Sequence, residues 1–213
     1  MGLKVIQARS ARKAKGQGGE RREEILAHAE RLFLTHGVHS VSTRQLAQAV
    51  GISQPSLYAY FPKRADLLAE VSRRAFAKLI ATTHNRIQGD ADSVEDMLRA
   101  YVAFGLEEPD AYRIAFMLEG IFEHEAELSA DAQQKEIGMD AFAHLRQTVA
   151  YQIGGSHPDL EITAQSLWSA IHGLVSLLLA RSSFPWVDRE TLIDWHIAAL
   201  LKGLPEPIPN RQD

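Results

Sequence analysis

Cysteine is absent from this chain of 213 residues, which excludes a disulfide framework, a thiolate zinc site and a cysteine nucleophile. No run approaches the roughly 20 apolar residues that a bilayer crossing requires. The N-terminus is charged but lacks the apolar core of a secretory signal. A soluble cytoplasmic protein with no membrane partner is therefore expected. Catalytic patterns also fail on inspection. "HEAEL" at His124 has Leu128 where a zinc-protease helix needs its second histidine, and "GGSHP" has Pro158 where a nucleophile elbow needs glycine. The nine histidines include no i, i+4 pair. The "GQGG" piece near the N-terminus lacks a preceding strand, so it is not a nucleotide loop. No enzyme, metal or cofactor is expected.

The chain does have enough apolar residues, 46%, to bury a sizeable core. Its net charge of −4 is unevenly spread. Residues 1–64 hold eleven Lys and Arg against four Glu, and the remainder is correspondingly acidic. A basic N-terminal third on an acidic body suits a polyanionic partner. Seven of those eleven positive charges lie in residues 1–22, so charge alone fits a solvated basic tail equally well. Residues 1–19 read as a flexible basic arm.

From Glu20 onward the pattern is helical. Ile25, Ala29, Leu32 and Phe33 recur at helical spacing before Gly37, a C-cap. Ser42 with Gln45 three residues on forms a capping box. A third, short helix follows in "SQPSLYAYF", with Pro55 in its first turn and Pro62 as its stop. A long fourth segment runs from about Asp66 to Gln88, and further helices are expected near 92–107, 109–119, 130–153, 159–182 and 189–203. No alternating β-branched segment competes. The fold class is all-α with about nine helices.

The second and third helices carry a specific pattern. Ala47 lets two backbones approach, and Gly51 takes the positive φ of a tight turn. Leu46, Val50, Ile52 and Leu57 fill the angle between the helices. This is the arrangement of a DNA-binding helix-turn-helix, whose second helix enters the major groove. A helical protein-interaction adaptor without specific DNA binding is the alternative; it would show no salt-dependent binding to duplex DNA.

"TRQLAQAVGISQPSLYAYFPKRADLL", residues 43–68, resembles the helix-turn-helix core of TetR (tetracycline-repressor-type) transcriptional regulators, which reads T-x-x-I-A-x-x-A-G-V-S-x-G-x-L-Y-x-H-F-x-x-K-x-x-L. Thr43, Ala47, Gly51, Ser53, Leu57, Tyr58, Phe61 and Leu67 match. Leu46, Val50, Ile52, Pro55, Tyr60 and Arg64 depart from it. The resemblance implies a head at 20–65 and a ligand-binding and dimerisation body at 66–213. It implies that Thr43 and Arg44 hold phosphates, and that Gln54, Pro55 and Ser56 meet base edges. It also implies that Tyr58, Tyr60, Lys63 and Arg64 grip the backbone.

"LWSAIHGLV", Leu167 to Val175, is similar to a Trp-x-x-x-His-Gly element of one C-terminal subgroup, and "PDAYRIAF" is similar to a stretch such proteins carry. The family's body implies a small-molecule inducer. Tyr101, Phe104, Arg113, Phe116, Met117, Phe142, Trp168 and His172 are the candidate lining of its apolar pocket. Wide apolar faces at Ile171, Leu174, Val175, Leu178, Leu192, Ile193, His196 and Leu200 suit a four-helix homodimer interface, or equally an internal core. A dimer would place two reading helices ~34–36 Å apart, one DNA turn, on a palindromic operator. The expected function is a ligand-responsive repressor.

Overall fold

The computed structural model describes residues 18–86, 93–118 and 133–207. Every regular element among them is an α-helix. These are α1 Gly18–His36, α2 Thr43–Val50, α3 Gln54–Tyr60, α4 Arg64–Arg86, α5 Val94–Glu107, α6 Pro109–Phe116, α7 Gln133–Ile153, α8 Leu160–Ala180 and α9 Arg189–Lys202. The basic arm through residue 17, the expected break at Gly89-Asp90 and the acidic stretch around His124 lie outside the described residues.

Two compact units divide the chain, and the first runs to Ser72, within α4. In that unit α1 buries Ile25, Leu26, Ala29 and Phe33, the one-sided stripe of an amphipathic helix. The capping box closes the start of α2: Ser42 Oγ accepts from the Gln45 amide at 3.2 Å, and the Gln45 side chain accepts from the Ser42 amide at 2.8 Å. Gly51 ends α2 in the left-handed region at φ +75°, and Ile52 N–H donates back to the Ala47 carbonyl at 2.9 Å. Ser53 then caps α3 by accepting from the Ser56 amide, so the turn between α2 and α3 is capped on both sides. Leu57 and Phe61, one turn apart, are 1% and 3% exposed and anchor the short helix. A seven-residue helix is not stable alone; those two side chains and the packed α2 hold it.

In the second unit α5 is the hub. Val94, Met97, Leu98, Ala100, Tyr101, Val102, Phe104 and Gly105 are buried around most of its circumference, and it packs against α6, α7, α8 and α9. The closest approach is at Gly105, where an added Cβ would collide with the Val175 side chain on α8 and lie 3.2 Å from the Tyr112 ring. Arg99 ties α5 to α9 through Asp194 at 2.6 Å and also bonds Glu95. An ion pair between Arg146 and Glu161 joins α7 to α8.

Against the expectation that no segment could cross a bilayer, α8 is long and apolar enough to do so by length and composition, with mean hydropathy 1.4. Part of its apolar set serves packing. Leu160, Ala164, Leu167, Ile171, Leu174, Val175 and Leu178 are buried on one side, towards α5 and α7.

Candidate DNA-reading surface and ligand cavity

Anchoring by Leu57 and Phe61 turns the rest of α3 outward. Pro55, Ser56 and Tyr58 are exposed, Gln54 and Tyr60 partly so, and Arg44 and Lys63 beside them are exposed. The polar side chains are organised rather than loose. Gln54 Nε2 donates to Thr43 Oγ1 at 3.0 Å, and the Tyr58 hydroxyl lies 3.3 Å from the same oxygen. Ser56 Oγ lies 2.8 Å from Ser53 Oγ. Hydrogen bonds from Thr43, then Gln54, with the Arg64 charge behind, hold the Tyr58 phenol below its usual value of 10.0. A phenol so placed is a good donor to a phosphate oxygen.

Arg64, expected at the DNA backbone, is engaged within the head. Its guanidinium is half-buried and donates to the carbonyls of Val41 and Val38, both at 2.5 Å. It also sits 5.8 Å over the Phe33 ring. The residue fastens the α1–α2 loop to the start of α4, because two carbonyls in that loop have no helical partner to accept from. On the far side Arg22 lies 5.0 Å over the Phe61 ring and pairs with Glu70 at 3.2 Å.

The body holds an apolar cavity of about 50 Å³. Of the residues expected there, Tyr101, Phe116, Phe142 and Trp168 line it. Phe104 is fully buried elsewhere, beside Tyr112, while Arg113 pairs with Asp110 at 3.2 Å and Met117 is 40% exposed; none of these three borders the cavity. His172 stands behind the lining, 3.0 Å from the Tyr101 hydroxyl and 5.4 Å from the Phe116 ring. Residues absent from the sequence-based set complete the walls: Phe76, Leu79, Ile80 and Thr83 of α4, Met97 and Leu98 of α5, and Gly138, Ala141, His144 and Leu145 of α7. The α4 contribution had a sequence signal. Its apolar residues continue to Leu79 and Ile80, well past what a small head requires.

Among the described residues, no Lys, Arg, Asp or Glu borders the cavity. The Thr83 hydroxyl is committed to the Leu79 and Ile80 carbonyls, each at 3.0 Å. Beneath it Tyr112 O–H lies 2.8 Å from His172 Nδ1 and 3.1 Å from Ser176 Oγ, and His172 Nε2 lies 3.2 Å from Ser176 Oγ. Burial, then the neighbouring Tyr112, raises the Tyr101 pKa, and burial raises that of Tyr112 and lowers that of His172. All three effects favour neutral groups.

The expected dimer residues divide. Ile171, Leu174, Val175, Leu178 and Ile193 are between 0% and 8% exposed in the chain itself, so they belong to the protomer's core rather than its surface. The i, i+3, i+4 pattern that suggested an interface is equally the pattern of a helix facing its own core. Leu192, His196 and Leu200 are partly exposed. The apolar surface of this region lies at Ile162, Leu177, Phe184, Val187 and Trp195, which are 51–71% exposed.

Two helices crossing at a glycine turn, with a polar face set outward on the second, define a helix-turn-helix head on an all-α body. Comparison with known proteins agrees. Residues 25–71 match the model of bacterial regulatory proteins of the tetR family, and residues 94–200 match the tetracyclin repressor-like C-terminal domain. The chain belongs to the TetR family of transcriptional regulators. The transcriptional regulator AcrR of Shigella flexneri is 25% identical over 177 residues, covering 79% of this chain and 81% of its own length. The regulator EthR of Mycolicibacterium smegmatis is 40% identical over 60 residues, which cover 28% of each chain. Among solved structures, PfmR of Thermus thermophilus superposes with a TM-score of 0.60 at 22% identity, covering 85% of this chain and 99% of that one. The fatty acid degradation regulator FadR of Bacillus halodurans gives 0.63 at 17% identity, covering 92% and 100%. At these identities the structural likeness is one of fold.

Proposed function

We propose that the protein is a homodimeric repressor that leaves its operator when an uncharged, largely apolar small molecule enters the body. The observation that carries the DNA part is the outward cluster of Thr43, Gln54 and Tyr58 above the Leu57–Phe61 anchor. Thr43, Arg44, Tyr58, Tyr60 and Lys63 grip phosphates, while Gln54, Pro55 and Ser56 meet base edges. Arg64 serves this surface by holding the loop beneath it. Such a regulator works in the cytoplasm, with the chromosome.

The ligand's chemistry follows from the cavity wall. A charged ligand would be buried there without a counter-charge, at a cost of several kcal/mol. An aromatic or alicyclic molecule with one or two polar atoms fits instead. The cavity is smaller than the ~150 Å³ engineered void that accepts benzene, so a ligand must displace side chains to enter. Phe76, Leu79 and Thr83 place α4 in that wall, while Leu67, Leu68 and Val71 of the same helix are buried nearer its start. A ligand that repositions α4 favours head spacings that no longer match one DNA turn, and operator affinity falls by linkage.

The dimer forms through the exposed faces of α8 and α9, around Ile162, Leu177 and Trp195, with Leu192, His196 and Leu200 at their edges. His196 Nε2 is shielded from solvent and has no hydrogen-bond partner among the described residues; a facing subunit supplies one. The test is capture of genomic fragments by the purified chain, with and without panels of uncharged, anionic and cationic aromatics. Release by uncharged compounds alone is expected. Release by carboxylates or ammonium compounds instead contradicts the ligand class, and capture of no fragment contradicts the regulator reading in favour of an adaptor.

A further inference from the structure

We propose that Tyr101 recognises the polar group of the ligand, and that this group is the hydroxyl of an alcohol or phenol. This rests on the ligand-binding reading above and adds the chemistry of one contact.

Tyr101 belongs to two environments at once. It lines the apolar cavity, while its hydroxyl lies 3.0 Å from His172 Nδ1 in the polar cluster behind that wall. The Tyr112 hydroxyl converges on the same nitrogen at 2.8 Å. A neutral imidazole nitrogen either donates one proton or accepts on one lone pair, so the two hydroxyls compete for it. Tyr112 has other partners: its O–H also reaches the His172 carbonyl at 3.2 Å and lies 3.1 Å from Ser176 Oγ. Tyr101 is the member of the pair that borders the cavity.

Phe116 stands between the cavity and this cluster. Its ring borders the cavity and lies 5.9 Å from the Tyr101 ring, 5.2 Å from Tyr112 and 5.4 Å from His172. A ligand ring that enters by displacing Phe116 takes a place beside all three. A hydroxyl on that ring then meets the cluster through Tyr101.

The kind of polar group follows from the hydrogen bonds already made. If Tyr101 donates to Nδ1, that bond uses none of its lone pairs; if it accepts from Nδ1, the bond uses one. A donor on the ligand is served in both arrangements. An acceptor on the ligand is served only in the second, where the Tyr101 proton is off the nitrogen. Alcohols and phenols therefore suit the site in either state, whereas ethers, ketones and esters, which only accept, suit it in one.

The test is calorimetric titration of the full-length chain with three one-ring probes, phenol, anisole and toluene. Wild type is compared with Tyr101→Phe, which keeps the ring, and with Phe116→Ala, which leaves a ring-sized space beside Tyr101 and His172. Thermal melting checks that each variant is folded. Phenol should bind the wild type about tenfold more tightly than anisole or toluene, the effect of one well-made hydrogen bond. Tyr101→Phe should bring phenol down to the affinity of toluene. Phe116→Ala should bind phenol more tightly than the wild type does and keep the preference. Equal affinities for phenol and toluene, anisole binding as well as phenol, or a preference that survives Tyr101→Phe overturns the proposal. Binding of no probe by either wild type or Phe116→Ala overturns the cavity as a ligand site, and the proposal with it. Release of a captured DNA fragment is scored separately: phenol bound with its preference but releasing no DNA contradicts the repressor reading and leaves the Tyr101 assignment standing.

Discussion

The Arg64 guanidinium donates to the Val41 carbonyl at 2.5 Å, and its other arm holds Val38 at the same distance. A residue on the basic edge of the head is therefore spent on the backbone of its own loop. Arg64→Ala leaves those carbonyls without their charged donor and removes the contact over Phe33. The head should lose about 2 kcal/mol, the usual worth of a hydrogen bond to a charged group. Differential scanning calorimetry of the full chain checks this. Arg64→Lys should recover only part of the loss, because an ammonium cannot span two carbonyls as a guanidinium fork does.

Burial lowers the pKa of His172 below 6.5, so the folded body favours the neutral ring. The unfolded chain binds the proton more readily than the folded one. The stability contributed is fully present above about pH 6.5 and drains as the pH falls toward the folded value. Protonation also makes both ring nitrogens donors, which changes the hydrogen bonding of Nδ1 with the Tyr101 and Tyr112 hydroxyls at 3.0 and 2.8 Å. Urea midpoints at pH 7.5 and pH 5.5 should therefore differ, with the lower pH less stable. In His172→Gln, which keeps a polar group but does not titrate, the difference should shrink.

Gly105 allows α5 and α8 to approach where Val175 fills the gap. Alanine is ordinarily the better helix former by about 0.5–1 kcal/mol. Here the collision should outweigh that, and Gly105→Ala should destabilise the body by about 1–3 kcal/mol, typical of overpacking. Val175→Ala in the same chain should relieve part of the cost, so the pair should be less unstable than the two single effects combined. A double-mutant cycle of urea unfolding measures it.

Trp195 is 71% exposed and Leu177 is 51% exposed on the two helices proposed to pair. Trp195→Glu or Leu177→Glu should shift the chain towards monomer in analytical ultracentrifugation while its helical circular dichroism persists. Ile193→Ala, in the buried stripe between them, should lower stability instead, because its side chain already faces the protomer's own core.

These residues show how far the sequence could be read. The helix-turn-helix was legible because a turn of fixed length imposes fixed residue types: Ala47, Gly51 and Leu57 each answer a local steric demand. Gln54 and Tyr58 could be placed outward because Leu57 and Phe61 already claimed the inner face. Ile171 and Val175 could not be divided between core and interface, since both environments demand the same apolar stripe. The loop contacts of Arg64 were not legible for a related reason. Nothing in a basic side chain's identity reveals that two loop carbonyls, 23 and 26 residues earlier, need donors. The cavity was half legible. Its aromatic residues stood out, but Phe76 and Thr83 looked like the ordinary spine of a long helix, and Arg113 looked like a handle until Asp110 claimed it.

Equilibrium titration of the full chain against a fragment it selects, followed by fluorescence anisotropy across salt concentrations with and without a bound uncharged ligand, tests the central claim most directly. Affinity should fall linearly in log–log form with salt, at a slope of about −0.9 for each phosphate neutralised. Saturating ligand should weaken binding about tenfold or more, the scale of an allosteric coupling. Affinity that responds to neither salt nor ligand would contradict the account.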